Sequence, residues 1–241
     1  MIADFCSIGC DEIYEDECGW KHTGKGQPSL FIGTEQDKSE IQTMMLAFLS
    51  NVNEDHILNG LYLEGEEERV RHAAEVILKN PVYIEELPDF SLQDVENVIK
   101  KNIREHDVLY CFFDYVMTSM KILEEVTKRS GGVKLREDNV LFMLSNRLKD
   151  LCNKYGIFIL TATQLNGNFR EEKVPDQNLL RGAKSIADVA FREMALVCLR
   201  LKARRKKIVN CWKLSLRQSA TNLPFGKKFN DYPLWSSNNE V

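Results

Sequence analysis

The chain has 241 residues, of which 44% are hydrophobic and 28% charged, so it can bury one sizeable core. No stretch approaches the roughly 18 apolar residues of a transmembrane helix, and the first residues lack the form of a signal peptide. Residues 1–100 carry 21 acidic and seven basic side chains, whereas residues 101–241 carry 15 acidic and 25 basic ones. This asymmetry predicts an anionic partner for the second half of the chain.

The cysteine pattern favours a reducing compartment. The seven cysteines are odd in number and scattered, and with no secretory signal they predict a cytoplasmic protein without membrane association. Cys6, Cys10, Cys18 and His22 form a local group, but their spacing departs from the paired ligands of structural zinc sites. We therefore predict a helix face followed by a loop at this point.

Hydrophobic patterning predicts alternating strands and helices. A short apolar run predicts a buried strand at residues 30–34, and helical spacing follows at residues 39–50 and 66–78. A strand at 81–84 precedes a capping box that starts at Ser91 and a further helix. Later strands are predicted at 108–113, 157–160, 195–201 and 208–216, with a helix at 139–155. Uninterrupted apolar strands alternating with helices indicate an α/β fold with a largely parallel sheet.

Polar side chains follow three of these strands. Glu35 follows the first strand, Asp114 the third and Gln164 the fourth. In an open parallel sheet, ligands bind outside the carboxyl ends of the strands. A carboxylate after an apolar strand is typical of the Walker B aspartate that helps to hold a nucleotide's magnesium, and a second carboxylate could activate a water molecule. A neighbouring glutamine could sense a γ-phosphate.

From about Gly26 to Arg217 the sequence resembles the C-terminal ATPase domain of DnaB-like replicative helicases. The matching segments, in chain order, are residues 28–35, which end in the position of the catalytic glutamate; Asn59-Gly60; Phe112-Phe113-Asp114-Tyr115; Thr163-Gln164-Leu165-Asn166; and residues 180–188. The resemblance implies a RecA-like, three-layer P-loop NTPase fold with a largely parallel central sheet that lacks the P-loop strand. It implies one ATPase domain over residues 1–241.

The resemblance also implies a function and partners. The family consists of ATP-hydrolysing helicases that use Mg²⁺ and translocate on single-stranded DNA as hexameric rings in replication. Asp114 would serve Mg²⁺, Glu35 would activate water, and Gln164 would couple the γ-phosphate to DNA. The family's arginine finger, which reaches a neighbouring subunit's nucleotide, corresponds best to Arg217, with Lys213 and Arg205 as alternatives. A helicase loader or a primase is a further expected partner, and the source would be a phage, a mobile element or a bacterial host.

Two basic segments correspond to the family's DNA-binding loops. The first contains Lys128, Arg129, Lys134 and Arg136; the second contains Arg170 and Lys173, and Arg181 follows. Lysine and arginine supply a salt-dependent attraction to the phosphate backbone. A further run, residues 200–228, contains ten basic and no acidic side chains, and could contact DNA, a neighbour's nucleotide or solvent alone.

The Walker A motif, G-x-x-x-x-G-K-[ST], does not occur in these 241 residues. Gly24-Lys25 is followed by Gly26, and Gly226-Lys227 by Lys228. Residues 1–8 resemble the helix that follows the P-loop, so the resemblance implies an N-terminal truncation, a split gene or an alternative start site. Two alternatives to the helicase are a RecA/RadA-type recombination ATPase and a non-catalytic accessory protein that binds DNA or a helicase ring.

Overall fold

The computed structural model describes residues 1–16, 18–24, 26–133 and 135–163, together with the backbone of residues 192–201 and 209–218. Contacts divide the chain into two compact units, Met1–Val189 and Ala190–Val241. The described helices are α1 (Ile2–Gly9), α2 (Lys38–Ser50), α3 (Glu54–Asn59), α4 (Glu66–Lys79), α5 (Leu92–His106), α6 (Met120–Arg129) and α7 (Glu137–Tyr155). The described strands are β1 (Glu12–Glu15), β2 (Gly19–His22), β3 (Ser29–Gly33), β4 (Val82–Glu86), β5 (Tyr110–Asp114), β6 (Phe158–Thr161), β7 (Arg192–Leu201) and β8 (Val209–Gln218).

The first unit is built on a four-stranded parallel sheet with the order β4-β3-β5-β6. Every residue of β3 is buried, as its uninterrupted apolar sequence predicts for a strand covered on both faces. Alternate side chains serve two separate cores. Leu30, Ile32 and Phe113 belong to one apolar cluster, and Phe31 and Phe112 belong to the other. The predicted α/β class with a parallel sheet is confirmed.

Local capping signals set two helix starts. The Ser91 side chain accepts from the Asp94 amide while the Asp94 side chain accepts from the Ser91 amide, so the predicted capping box is confirmed. An equivalent box forms between Asp37 and Glu40 at the start of α2. These reciprocal bonds satisfy amide groups that have no partner inside the helix.

Four elements were missed by the sequence patterns. The loop predicted after α1 is wrong: β1 and β2 form an antiparallel hairpin there, with Glu12 opposite His22. Helix α3 is only six residues long, and helix α6 occupies a stretch that we assigned to a basic loop. Short helices and strands contain too few repeats of the hydrophobic pattern for it to be recognised, so tertiary packing determines where they form.

Helix α1 places Cys6 and Cys10 in the core beside Phe5. Burial raises the pKa of both thiols, that of Cys10 to about 12, so they are neutral apolar groups rather than reactive thiolates. Among the described residues, no three His, Cys, Asp or Glu side chains are grouped to hold a metal ion.

The second unit contains β7 and β8, which pair antiparallel from Arg192 opposite Gln218 to Leu201 opposite Val209. The two predicted late strands are therefore confirmed, each somewhat longer than its apolar run. Across the described part of the chain, no helix has the length and hydropathy to cross a membrane.

Candidate functional site

Glu35 and Asp114 lie at the carboxyl ends of neighbouring parallel strands. Strands β3 and β5 are paired in register, with Gly33 opposite Asp114, and Glu35 comes two residues after β3 ends. Strand β6 is the next neighbour of β5. Gln164 lies outside the described residues, but Thr163 lines the same pocket as Glu35. The sheet order therefore brings together the strand ends that the sequence singled out.

Thr34 joins the two strand ends by hydrogen bonds. Its backbone N–H donates to the Asp114 carbonyl oxygen at 2.9 Å, and its hydroxyl donates to the same oxygen at 2.8 Å. The Tyr115 amide donates to the Thr34 hydroxyl at 3.0 Å. Thr34 is buried, so these bonds are shielded from water and hold Asp114 and Glu35 on one rigid edge.

Tyr115 reaches across to the candidate catalytic carboxylate. Its phenol donates to Glu35 Oε1 at 2.7 Å, although the two residues are 80 positions apart in the chain. The bond orients an otherwise exposed carboxylate and leaves Oε2 for another partner. The sequence contained a signal for Tyr115, the Asp-Tyr pair after β5, but no pattern identified Thr34 or this contact.

The Asp114 carboxyl is half-buried. Burial raises its pKa above the ordinary aspartate value; the positive amino terminus opposes the shift, and the neighbouring Glu35 carboxylate adds to it. The Glu35 carboxylate disfavours ionisation of Asp114, and a bound cation would relieve this repulsion. Mg²⁺ is commonly held by one or two carboxylates plus water and phosphate oxygens, so Asp114 and Glu35 suit it.

Because the pKa of Asp114 is raised, we expect this residue to make the stability of the fold depend on pH. A carboxyl whose pKa is raised in the folded state destabilises the fold as it ionises, so this cost is present at neutral pH and disappears in acid. We expect Asp114→Asn to raise the melting temperature at pH 7.5, with the gain shrinking as the pH falls toward about 4. Thermal melts at both pH values measure it, with Asp150→Asn, an exposed site on α7, as the control. A lower melting temperature at pH 7.5 would contradict this account of Asp114.

A cavity of about 200 Å³ opens beside Glu35. It is lined by residues from the ends of β3, β5 and β6 and from the start of α7: Glu35, Tyr115, Val116, Met117, Thr118, Glu137, Leu141 and Thr163. Its position at the carboxyl edge of a parallel sheet is where α/β proteins bind ligands.

The basic residues of the first expected DNA segment do not all lie in a loop. Lys128 and Arg129 occupy the last turn of α6, where they pair with Glu124 at 3.9 Å and Glu125 at 2.7 Å. Arg136 is the N-cap residue of α7 and pairs with Asp138 at 3.1 Å. The loop assignment of Lys128 and Arg129 is therefore wrong, because an amphipathic helix buries Ile122 and Val126 there. All three cations are solvent-exposed.

Several other candidates fall on residues whose surroundings are not described. Lys134, Arg170, Lys173, Arg181 and Arg205 lie outside the described residues. Arg217 and Lys213 lie on β8, opposite Glu193 and Val197 of β7. Their positions in the hairpin are known at the level of the backbone register alone.

The parallel sheet, its helices and the paired carboxyl edge have the fold of RecA-like helicase ATPase domains. One solved ATPase domain matches with a TM-score of 0.60 and 13% identity, covering 71% of this chain and 59% of that one. A DnaB-like replicative helicase whose structure describes its interactions with primase matches with a TM-score of 0.63 and 12% identity, covering 79% of this chain and 48% of that one. At such low identities these matches concern the fold.

The chain belongs to the family of DnaB-like helicase C-terminal domains, whose sequence model matches residues 13–208. It is also 38% identical over 215 residues to the SPbeta prophage-derived uncharacterized protein YorI of Bacillus subtilis (strain 168). That match covers 87% of this chain and 42% of the relative, so the chain spans less than half the relative's length. The family expected from the motifs is confirmed.

Proposed function

We propose that this chain is the nucleotide- and DNA-handling part of an ATP-dependent, DnaB-like DNA helicase that acts on single-stranded DNA in replication. The observation that carries the proposal is the placement of Glu35 and Asp114 at adjacent strand ends, tied together by Thr34. The family membership supports it. The relative from a prophage supports a phage or mobile-element origin.

In this proposal the site residues divide the chemistry of ATP hydrolysis. Bound Mg²⁺ would neutralise phosphate charge, and Asp114 would be its protein ligand. Glu35 would accept a proton from the attacking water at Oε2, because the Tyr115 hydroxyl already occupies Oε1. Gln164 would sense the γ-phosphate and couple it to the DNA-binding segment, and Arg217 would contact a neighbouring subunit's nucleotide.

Among the described residues, the proposed DNA contacts are the exposed basic groups at the end of α6 and the start of α7. Arg136 immediately precedes Glu137, which lines the cavity beside Glu35. Lys128 and Arg129 end the helix that precedes it. The ion pair of Lys128 with Glu124 is exposed and weak enough for a DNA phosphate to replace, and the Arg129 side chain is itself half-exposed. Lys134, Arg170, Lys173 and Arg181 complete the proposed set.

The proposed assembly is a ring of copies of this chain, since Arg217 acts only on a neighbour's nucleotide. One of the structurally similar helicases was solved to describe its interactions with primase, and a primase or a loader is accordingly a proposed partner here. We place the protein in the cytoplasm, where replication takes place and where the free cysteines of the described residues would stay reduced.

The missing Walker A motif leads to a prediction about nucleotide affinity. The motif's amides and lysine form charge-assisted hydrogen bonds worth about 1.5–3 kcal/mol each, so losing a few of them weakens binding by about 10³-fold or more. We expect this 241-residue polypeptide to bind MgATP with a Kd of about 1 mM or weaker and to hydrolyse it negligibly. Calorimetry and a phosphate-release assay measure both, and vigorous DNA-stimulated hydrolysis would contradict the prediction.

A second candidate function is a non-catalytic protein that binds DNA or a helicase ring, since the exposed Lys128, Arg129 and Arg136 would serve DNA binding without hydrolysis. Binding of Mn²⁺, a spectroscopic substitute for Mg²⁺, at millimolar ATP distinguishes the helicase from the non-catalytic protein. If the site is a nucleotide site, Asp114→Asn should reduce the amount of protein-bound Mn²⁺·ATP measured by electron paramagnetic resonance, whereas Asp150→Asn should not. Binding that is unaffected by Asp114→Asn would reject the helicase proposal in favour of the accessory protein.

A further inference from the structure

A short segment of the first unit presents leucines to solvent. Leu58 at the end of α3 is 65% exposed, and Leu61 and Leu63, between α3 and α4, are 70% and 65% exposed. Large apolar side chains scattered singly over a surface are ordinary, but three within six residues indicate a contact site.

The segment is held in a defined conformation. The Leu63 amide donates to Glu66 Oε2 at 2.8 Å, and His56 Nδ1 lies 2.8 Å from the same oxygen. The Leu61 amide donates to the His56 carbonyl oxygen at 3.0 Å, and the side chain of Asn53 caps α3. Glu66 itself is buried. The leucines are therefore displayed on an ordered scaffold, so a partner would bind them without the entropic cost of ordering a loop.

Negative charge surrounds these leucines. Residues 54–68 contain six acidic side chains, and residues 39–68 contain no lysine or arginine. Five of the six, Glu54, Asp55, Glu64, Glu67 and Glu68, are exposed. We call residues 54–68 the leucine–acid surface. Its chemistry fits an occupant that combines cationic and aliphatic side chains.

The chain contains a segment of that composition. Residues 199–209 have the sequence Leu-Arg-Leu-Lys-Ala-Arg-Arg-Lys-Lys-Ile-Val, with six basic, five apolar and no acidic residues. They connect β7 to β8 and include the paired ends of these strands, Leu201 and Val209. The acidic half and the basic half of the sequence thus each contain one member of a complementary pair.

We propose that the leucine–acid surface of one copy of this chain binds residues 199–209 of a second copy. The contact is heterologous, since two different surfaces meet, and such contacts build rings or filaments rather than closed dimers. The inference rests on the proposed assembly with copies of the same chain and does not depend on ATP hydrolysis. The proposed contact gives a function to the acidic side chains of residues 54–68, which take no part in the proposed nucleotide site.

Sedimentation velocity of the full chain tests the proposal, without nucleotide, Mg²⁺ or DNA, so that its failure leaves the site predictions standing. We expect concentration-dependent association that weakens at high salt, because screening reduces attraction between exposed charges. The surface variant Leu61→Ser/Leu63→Ser and the segment variant Arg204→Ser/Lys206→Ser/Lys207→Ser should each weaken association at least 10-fold. The control Leu78→Ser, at an 86% exposed leucine on α4 outside the surface, should stay within about two-fold of wild type.

Mixing the two variants distinguishes a second copy from other occupants. Each variant retains the half that the other has lost, so an equimolar mixture should form a 1:1 complex although each variant alone associates at least 10-fold more weakly than wild type. Circular dichroism and thermal melts establish that both variants fold. A wild-type chain that stays monomeric, a surface variant that associates as wild type does, or a folded pair that fails to combine would each overturn the proposal.

Discussion

Replacing Phe112 with alanine should lower the free energy of unfolding by about 3–5 kcal/mol. Phe112 lies in β5 and is fully buried, with its ring centroid 5.3 Å from that of Phe5 on α1. Removing the ring leaves a cavity between the sheet and α1, and a close-packed core fills such a cavity only in part. Urea denaturation of wild type and variant measures the difference.

The matched control is Phe158 on the neighbouring strand β6, which is 53% exposed. Phe158→Ala should cost less than about 1 kcal/mol, because much of its ring is already in contact with water. Equal losses at the two positions would show that burial in the parallel sheet does not set the stability of this unit.

Removing Lys128, Arg129 and Arg136 together should weaken binding to single-stranded DNA and flatten its salt dependence. Each phosphate contact on a single strand contributes about 0.7 to the slope of log K against log salt, so three contacts predict a decrease of about 2. At low salt we expect an affinity loss of about 10-fold or more. Fluorescence anisotropy with a labelled oligonucleotide, repeated over a range of salt concentrations, measures both.

Arg104 provides the control for this experiment. It is exposed and lies in the last turn of α5, just before β5 begins. It therefore lies near the amino ends of the parallel strands, whereas Glu35 and Asp114 lie at their carboxyl ends. Arg104→Ala should leave the slope within about 0.3 of wild type, since it contacts no phosphate in the proposed arrangement. If the triple variant keeps the wild-type slope, these three residues are not DNA contacts.

The sequence predicted the elements whose signals are long or chemically distinctive. An unbroken short apolar run is typical of a strand covered on both faces, and β3 and β5 are such strands. The reciprocal bonds of the Ser91 capping box are local, so the start of α5 could be predicted from adjacent residues. The hairpin β1–β2, by contrast, carries neither a long pattern nor a distinctive turn, and it was predicted as a loop.

The candidate site was predicted in part for the same reason. Glu35 and Asp114 are recognisable because a carboxylate after a buried strand is unusual and parallel strands share one carboxyl edge. The contacts that orient them were not predictable, since Tyr115 meets Glu35 and Thr34 meets Asp114 across 80 positions of the chain. Lys128 and Arg129 were predicted in a loop because that prediction rested on the basic charge of the segment and not on its helical periodicity.

By itself the sequence determined the family, the α/β class, the two carboxylates and the division into an acidic and a basic half, because composition and local patterns carry them. Only the tertiary structure decided which strands are neighbours, that Thr34 and Tyr115 complete the carboxyl edge, and that Leu58, Leu61 and Leu63 are displayed on a scaffold held by Glu66. These features depend on distances between residues far apart in the chain. Such distances are set by the packing of the whole unit, and no local pattern encodes them.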